Sequence, residues 1–224
     1  MPSNYFKLLL LISLMILAAN AFAQSGTTVN PPPAIEAKNL DRGQLNDVNY
    51  NNDFFGLSLS VPSTWIVLSA ERTKAIVEET GKVVTADQTK KKQIDASMER
   101  STLLLSLTKV PAGQPNNASF MLIAERVPSP SVKTGVDVVE LMKKTFTGTN
   151  FNIEFHGETQ TERIGGADFA IATVKNTSPS GTFMQKIYVT TKNGYALELF
   201  YTYTDEADLA ALNSIVGTLK LNGN

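Results

Sequence analysis

Asn193-Gly194 stands between two strand-like runs, residues 182–191 and 195–203. Both of its positions accept a positive φ, and that is what a two-residue hairpin turn demands. The two runs must therefore lie side by side and antiparallel. Ile164-Gly165-Gly166-Ala167 repeats the signal one hairpin earlier, between residues 151–163 and 169–175. Ser178-Pro179-Ser180-Gly181 supplies the turn that joins the two hairpins. A four-strand meander follows, and a meander this long needs further layers to cover its faces.

The rest of the chain supplies them. In residues 51–65, Leu57, Leu59 and Val61 alternate with Ser58 and Ser60, as in a half-buried strand. Pro62 has no N–H to donate and ends it. The only tryptophan, Trp65, follows, and residues 65–68 are expected to pair beside that first strand. Residues 71–100 read as two helical pieces, with Lys90-Lys91-Lys92 on a solvated face. Residues 103–109 read as a buried strand. Residues 119–127 are apolar on both faces, as in a central strand. Thr134-Gly135-Val136-Asp137 has the form of a capping box, with Asp where Glu is usual. The helix it opens would bury Val138, Val139, Met142 and Phe146. A last helix opens at Thr204 and would bury Leu209, Leu212, Ile215 and Val216, before the edge segment Leu219-Lys220-Leu221. The fold class is α+β: a mainly antiparallel sheet flanked by helices, layered as an α/β/α sandwich.

Residues 1–23 carry Lys7, an apolar run over residues 8–19 and the small-x-small site Ala21-Phe22-Ala23. That is the pattern of a signal peptide; the apolar run falls short of the roughly 20 residues of a spanning helix. Residues 24–49 form a polar linker containing Pro31-Pro32-Pro33, stiff and extended. Residues 50–222 form a single folded domain. There are no cysteines, which removes disulfides, thiolate metal sites and thiol nucleophiles. Export without cysteine fits a bacterial periplasm or exterior. The formal net charge is −1, and loss of Lys7 leaves −2, with 19 basic against 21 acidic residues. A nucleic-acid partner is not implied. Asn117-Ala118-Ser119 and Asn176-Thr177-Ser178 match the glycosylation tripeptide and read as loops.

Chemical motifs are sparse. The lone histidine, His156, should share a strand face with Glu154 and Glu158, at spacings of roughly 7 Å. These three form a weak candidate metal site; the plainer reading is a solvated polar face. Ser106 and Lys109 have a serine–lysine spacing, but on a strand they point to opposite faces. No phosphate loop, nucleophile elbow or paired-histidine motif occurs, and no cofactor is implied. Tyr195, Tyr201 and Tyr203 share one strand face with Leu197 and Leu199. With Trp65 they either pack a core or rim a groove for an apolar ligand or partner.

Two stretches resemble the PsbP-like superfamily, which includes bacterial DcrB-like and LpqN-like exported proteins. One is Phe55-Gly56-Leu57-Ser58-Leu59-Ser60-Val61-Pro62-Ser63-Thr64-Trp65. The other is Asn193-Gly194-Tyr195-Ala196-Leu197-Glu198-Leu199 with the helix and closing segment after it; Ile164-Gly165-Gly166 adds a third point of likeness. The resemblance implies a PsbP-like sandwich and an accessory or binding role in the cell envelope, with a protein partner or small ligand, and no enzymatic activity. The competing expectation is a hydrolase whose carboxylates meet only in the fold.

Overall fold

The computed structural model describes residues 40–69, 71–73, 99–111, 117–127, 130–146, 153–178 and 181–222. The chain forms β1 (Gln44–Asn46), β2 (Asn49–Asn52), β3 (Leu57–Ser60), β4 (Ile66–Val67), β5 (Ser101–Thr108) and β6 (Ser119–Arg126). Helix α1 (Gly135–Phe146) precedes the meander β7 (Ile153–Ile164), β8 (Ala167–Ser178), β9 (Gly181–Lys192) and β10 (Tyr195–Tyr203). Helix α2 (Glu206–Gly217) and β11 (Lys220–Leu221) close the chain. The signal-peptide reading and most of the helical reading of residues 71–100 lie outside the described residues.

The meander forms as its turns require. It makes one half of a seven-stranded sheet, ordered β4-β5-β6-β10-β9-β8-β7, in which every pair is antiparallel. Every residue of β10 is buried. Its odd residues, from Tyr195 to Tyr203, enter one core, while Ala196 and Phe200 enter the other. The alternation of a strand thus separates two cores across one sheet.

Helix α1 covers one face. Val138, Val139 and Met142 pack on Ala170, Ala172, Val174, Ile187 and Val189. Its capping box is reciprocal: the Thr134 amide donates to Asp137 Oδ2 at 2.8 Å, and the Asp137 amide donates to Thr134 Oγ1 at 3.2 Å. Gly135 lets the helix start close to β9, because a Cβ there would collide with the Val189 carbonyl. The side chain of Phe146 lies outside the described residues.

The other face is covered by α2 and a second sheet, ordered β1-β2-β3-β11. Leu212, Ile215 and Val216 of α2 are buried there, and Asp205 caps the helix by accepting from the Asp208 amide at 2.8 Å. The architecture is therefore α+β, with helix, large sheet, and a mixed layer of small sheet and helix.

Three sequence readings are corrected. Residues 66–67 pair with β5, Ile66 opposite Thr108, and do not pair with β3. Strand β3 instead lies between β2 and β11 in the small sheet. Alternation identifies a half-buried strand but carries no information on its neighbour. The hairpin of β1 and β2 also takes the last residues of the stretch read as linker, and Leu40 is already buried in the core. Of the two glycosylation tripeptides, Asn117-Ala118-Ser119 opens in the loop before β6, as read, whereas Asn176-Thr177-Ser178 does not lie in a loop. Asn176 lies within β8, and Asn117 is buried, bonding Val110 through its amide.

The stretches that carried the resemblance meet at one end of the molecule. Asn193 and Gly194 both have positive φ, and Asn193 Nδ2 donates to the Phe54 carbonyl at 2.6 Å. Phe54, Phe55 and Tyr195 meet edge to face, with centroids 4.8 to 5.9 Å apart. The Leu221 amide donates to the Gly165 carbonyl at 2.7 Å, and the Asn222 amide to Gly56 at 3.0 Å. Both hairpin turns of the large sheet thereby hold the small one.

Candidate functional site

The residues expected to rim a groove are core residues. Trp65, Tyr195, Tyr201 and Tyr203 are all buried in the core between the two sheets. Tyr201 packs against Phe120 and Tyr188 at 5.5 and 5.0 Å. Burial pushes the phenols of Tyr201 and Tyr203 up, and that of Tyr188 to about 12. These rings anchor the sandwich.

The candidate metal residues are not assembled either. His156 Nε2 lies 3.7 Å from Glu154 Oε2, both side chains being well exposed. Gly157 has φ +71°, and the pairing with β8 slips between His156 and Gln160. That bulge breaks the alternation which was to bring Glu158 alongside. Among the described residues no three His, Asp or Glu side chains converge as a metal site. Ser106 and Lys109 are likewise apart: Ser106 is buried, whereas Lys109 Nζ meets Asp208 at 2.6 Å. That hydrogen bond and charge raise the Lys109 pKa.

The structure places its buried chemistry elsewhere, on the α1 side of the large sheet. This face is divided. Over β8 and most of β9 it is apolar and packs on α1. Over β5, β6 and β10 it carries Ser106, Thr108, Ser119, Glu125, Glu198 and Thr202, each no more than 3% exposed. Register sets them in rows. Thr108 lies opposite Ser119, Ser119 opposite Thr202, and Thr202 opposite Gln185. Gln185 Nε2 donates to Thr202 Oγ1 at 3.2 Å. Two rows further along, Glu198 lies opposite Ile123, and Glu125 lies opposite Ala196. The two glutamates are therefore diagonal neighbours on one face, with Cα atoms roughly 7 Å apart.

Their charges are managed unequally. Arg100 Nη2 meets Glu125 Oε1 at 3.1 Å. Glu198 Oε1 has no hydrogen-bond partner among the described residues. Burial, and then the charge of Glu125, push the Glu198 carboxyl well above the usual carboxylate range, which favours its protonated form. Ser106 Oγ and Thr108 Oγ1 are also buried without a partner among the described residues. An unsatisfied buried polar group costs about 1–3 kcal/mol, so three on one half-face are a distinct feature.

Sequence reasoning missed this half-face, although a signal was present. Glu198 interrupts the apolar run Ala196-Leu197-Glu198-Leu199-Phe200, and Glu125 directly follows the run 120–124. A charge inside a run that reads as a central strand points into a core.

No protein-family model matches the chain, and no curated protein does. Solved structures do. One is LpqN from Mycobacterium tuberculosis, a protein involved in cell envelope biogenesis: 13% identity, 75% of this chain and 83% of that one covered, TM-score 0.45. Another is the cyanobacterial PsbP of Synechocystis: 13% identity, 78% of this chain and 91% of that one covered, TM-score 0.45. Both groups to which the sequence resemblance pointed, LpqN-like and PsbP-like, are thus among the structures this chain is similar to.

Proposed function

We propose that this chain is an exported, non-enzymatic binding protein of the bacterial cell envelope that holds a small ligand on the polar half-face of its large sheet. The observation that carries this is the division of that face: apolar where α1 packs, and elsewhere lined with hydroxyls over β5, β6 and β10, the Gln185 amide of β9, and a carboxyl whose Oε1 has no hydrogen-bond partner among the described residues. Hydrogen-bonding groups set within apolar walls are the composition of a recognition site. Export rests on the signal-peptide pattern of residues 1–23. No helix among the described residues is long and apolar enough to cross a membrane.

The competing reading, a hydrolase, has one observation in its favour: the fold does bring Glu125 and Glu198 together. Acid–base catalysis needs one group free to take a proton from water or substrate. Here Arg100 engages Glu125 and the Glu198 acid is enclosed by the sheet, an arrangement that favours binding over turnover.

The test is native mass spectrometry of the exported chain purified from its own envelope, before and after denaturation. A small molecule retained under native conditions and released on denaturation, and lost when Ser106 and Thr108 are both changed to Val, is the expected result. A native mass equal to that of the bare chain, across gentle preparations, would overturn the reading.

A further inference from the structure

Two Asn-Gly dipeptides occur in the chain, Asn193-Gly194 and Asn222-Gly223. In such a pair the glycine nitrogen can attack the side-chain amide before it, because the glycine has no Cβ to obstruct the approach. At Asn193-Gly194 the fold leaves both reacting groups within reach. Both residues are exposed, and a Cβ added at Gly194 would meet nothing within 4 Å. The Gly194 amide donates no hydrogen bond among the described residues. What restrains the Asn193 side chain is its bond to the Phe54 carbonyl at 2.6 Å. A bond of this kind shifts a population by about tenfold at most, so it slows the attack without preventing it.

That bond is also where the large sheet grips the small one, since it runs from the β9–β10 turn to the loop between β2 and β3. Deamidation would put a carboxylate oxygen where the Nδ2 donor stood, against the Phe54 carbonyl, and two acceptors repel. Lys192 Nζ would still donate to the Asn222 carbonyl at 2.8 Å, and Phe54 would still meet Tyr195 edge to face, so the loop is loosened and not freed. Asn193 has φ 52°, which aspartate tolerates, so the hairpin survives that product. Isoaspartate lengthens the backbone of a two-residue turn and also disturbs the pairing of Lys192 with Tyr195.

We propose that Asn193 is a site of spontaneous deamidation, and that this modification loosens the β2–β3 loop from the β9–β10 turn. The inference goes beyond the ligand-site reading and does not depend on it. The Gly194 nitrogen loses its proton and bonds to Asn193 Cγ; the bond from Cγ to Nδ2 breaks, and ammonia departs carrying that proton. Water then opens the cyclic imide at either carbonyl, giving aspartate or isoaspartate. Nothing is oxidised or reduced.

Ageing the exported chain in mildly alkaline buffer, followed by peptide mapping with mass spectrometry, tests the site. The peptide that holds Asn193 is expected to gain aspartate and isoaspartate, and faster as pH rises, because the attacking nitrogen must lose its proton. Asn222-Gly223 in the same chain serves as the internal control for the chemistry. Asn193 intact while Asn222 converts overturns the proposal, as does conversion at neither. Hydrogen exchange tests the consequence. The Phe55 and Gly56 amides, which donate to Asn52 Oδ1 and the Asp53 carbonyl, should exchange about tenfold faster in Asn193→Asp than in the parent. Asn193→Gly keeps the turn and removes the donor without adding charge, so its exchange should fall between the two. The aged parent gives the same comparison if the aspartate variant fails to fold. Exchange at Phe55 and Gly56 that matches the fresh parent in both the variant and the aged chain overturns the loosening.

Discussion

At the scale of single residues, Glu198 is where local pattern and tertiary outcome diverge most. Its folded pKa lies above that of an unfolded glutamate, about 4.3. The folded state therefore binds more protons than the unfolded state through the range between. Its contribution to stability is fully present below about pH 4.3 and is lost as pH rises through the raised folded value. Urea midpoints measured across pH should fall on the alkaline side for the parent chain, and Glu198→Gln should flatten that fall. An unchanged profile in the glutamine variant would mean that the carboxyl is not held neutral. Gly165 gives a second prediction. Its φ is +58°, and a Cβ would collide with the Leu219 carbonyl. Gly165→Ala combines a strained backbone with a backbone clash and should cost about 1–3 kcal/mol, read as a lowered denaturation midpoint. The glycine was legible in the sequence as a turn residue. Its contact with a segment more than fifty positions away was not, because a turn motif records φ and says nothing of what packs on it. The same limit undid Glu154, His156 and Glu158: alternation assumed a regular strand, and Gly157 made a bulge.

Elements were legible wherever their signals are local. The capping box of α1 is one such signal, and its geometry is complete in both directions. Three hydrogen bonds converge on Asp137, from the Lys133 and Thr134 amides and the Thr134 hydroxyl, and they hold its pKa below the usual value. Thr134→Ala should destabilise the chain by about 1 kcal/mol, the usual value of an N-cap, measured by thermal or urea unfolding. Because the Asp137 pKa is depressed, its contribution is present above the unfolded value and lost as pH falls. Acid should therefore narrow the gap between the parent and an Asp137→Asn variant. The hairpins of the meander were equally readable, since Gly165-Gly166 and Asn193-Gly194 fix direction and register in two residues each. Strand β3 was read correctly as a strand but given the wrong neighbour. Its partners β2 and β11 lie on either side of it in the chain, one of them after α2, and β2 sits in a stretch rich in Asn that strand propensity disfavours. The polar half-face was missed for a related reason. Its members are spread over β5, β6, β9 and β10, and only the register of four strands makes them neighbours.

For the whole molecule, the decisive question is whether two sheets make one cooperative unit. The large sheet owns its α1 core outright, whereas the core between the sheets is shared among β3, β10, α2 and β11. The C-terminal segment ties the shared core together. Leu219 and Leu221 are both 3% exposed; β11 pairs with β3; and the amides of Leu221 and Asn222 reach Gly165 and Gly56, one in each half. Removing a buried leucine costs about 2–5 kcal/mol, and total stability for a domain is about 5–15 kcal/mol. A chain ending at Gly217 loses two such leucines and β11, the strand paired with β3, so it should be largely unfolded in buffer. The intact chain should unfold as one unit. Trp65 makes this measurable, because the single tryptophan lies in the shared core while most of the strand signal comes from the large sheet. Tryptophan fluorescence and far-ultraviolet circular dichroism should therefore give coincident urea curves. If fluorescence moved first, the small sheet would be a separately melting cover on an independently stable large sheet. The polar half-face, which lies on the α1 side, would then survive the loss of the C-terminal segment. Coincident curves instead tie the half-face to the segment at the opposite face, since β10, which carries Glu198, also carries Tyr195, Tyr201 and Tyr203 of the shared core.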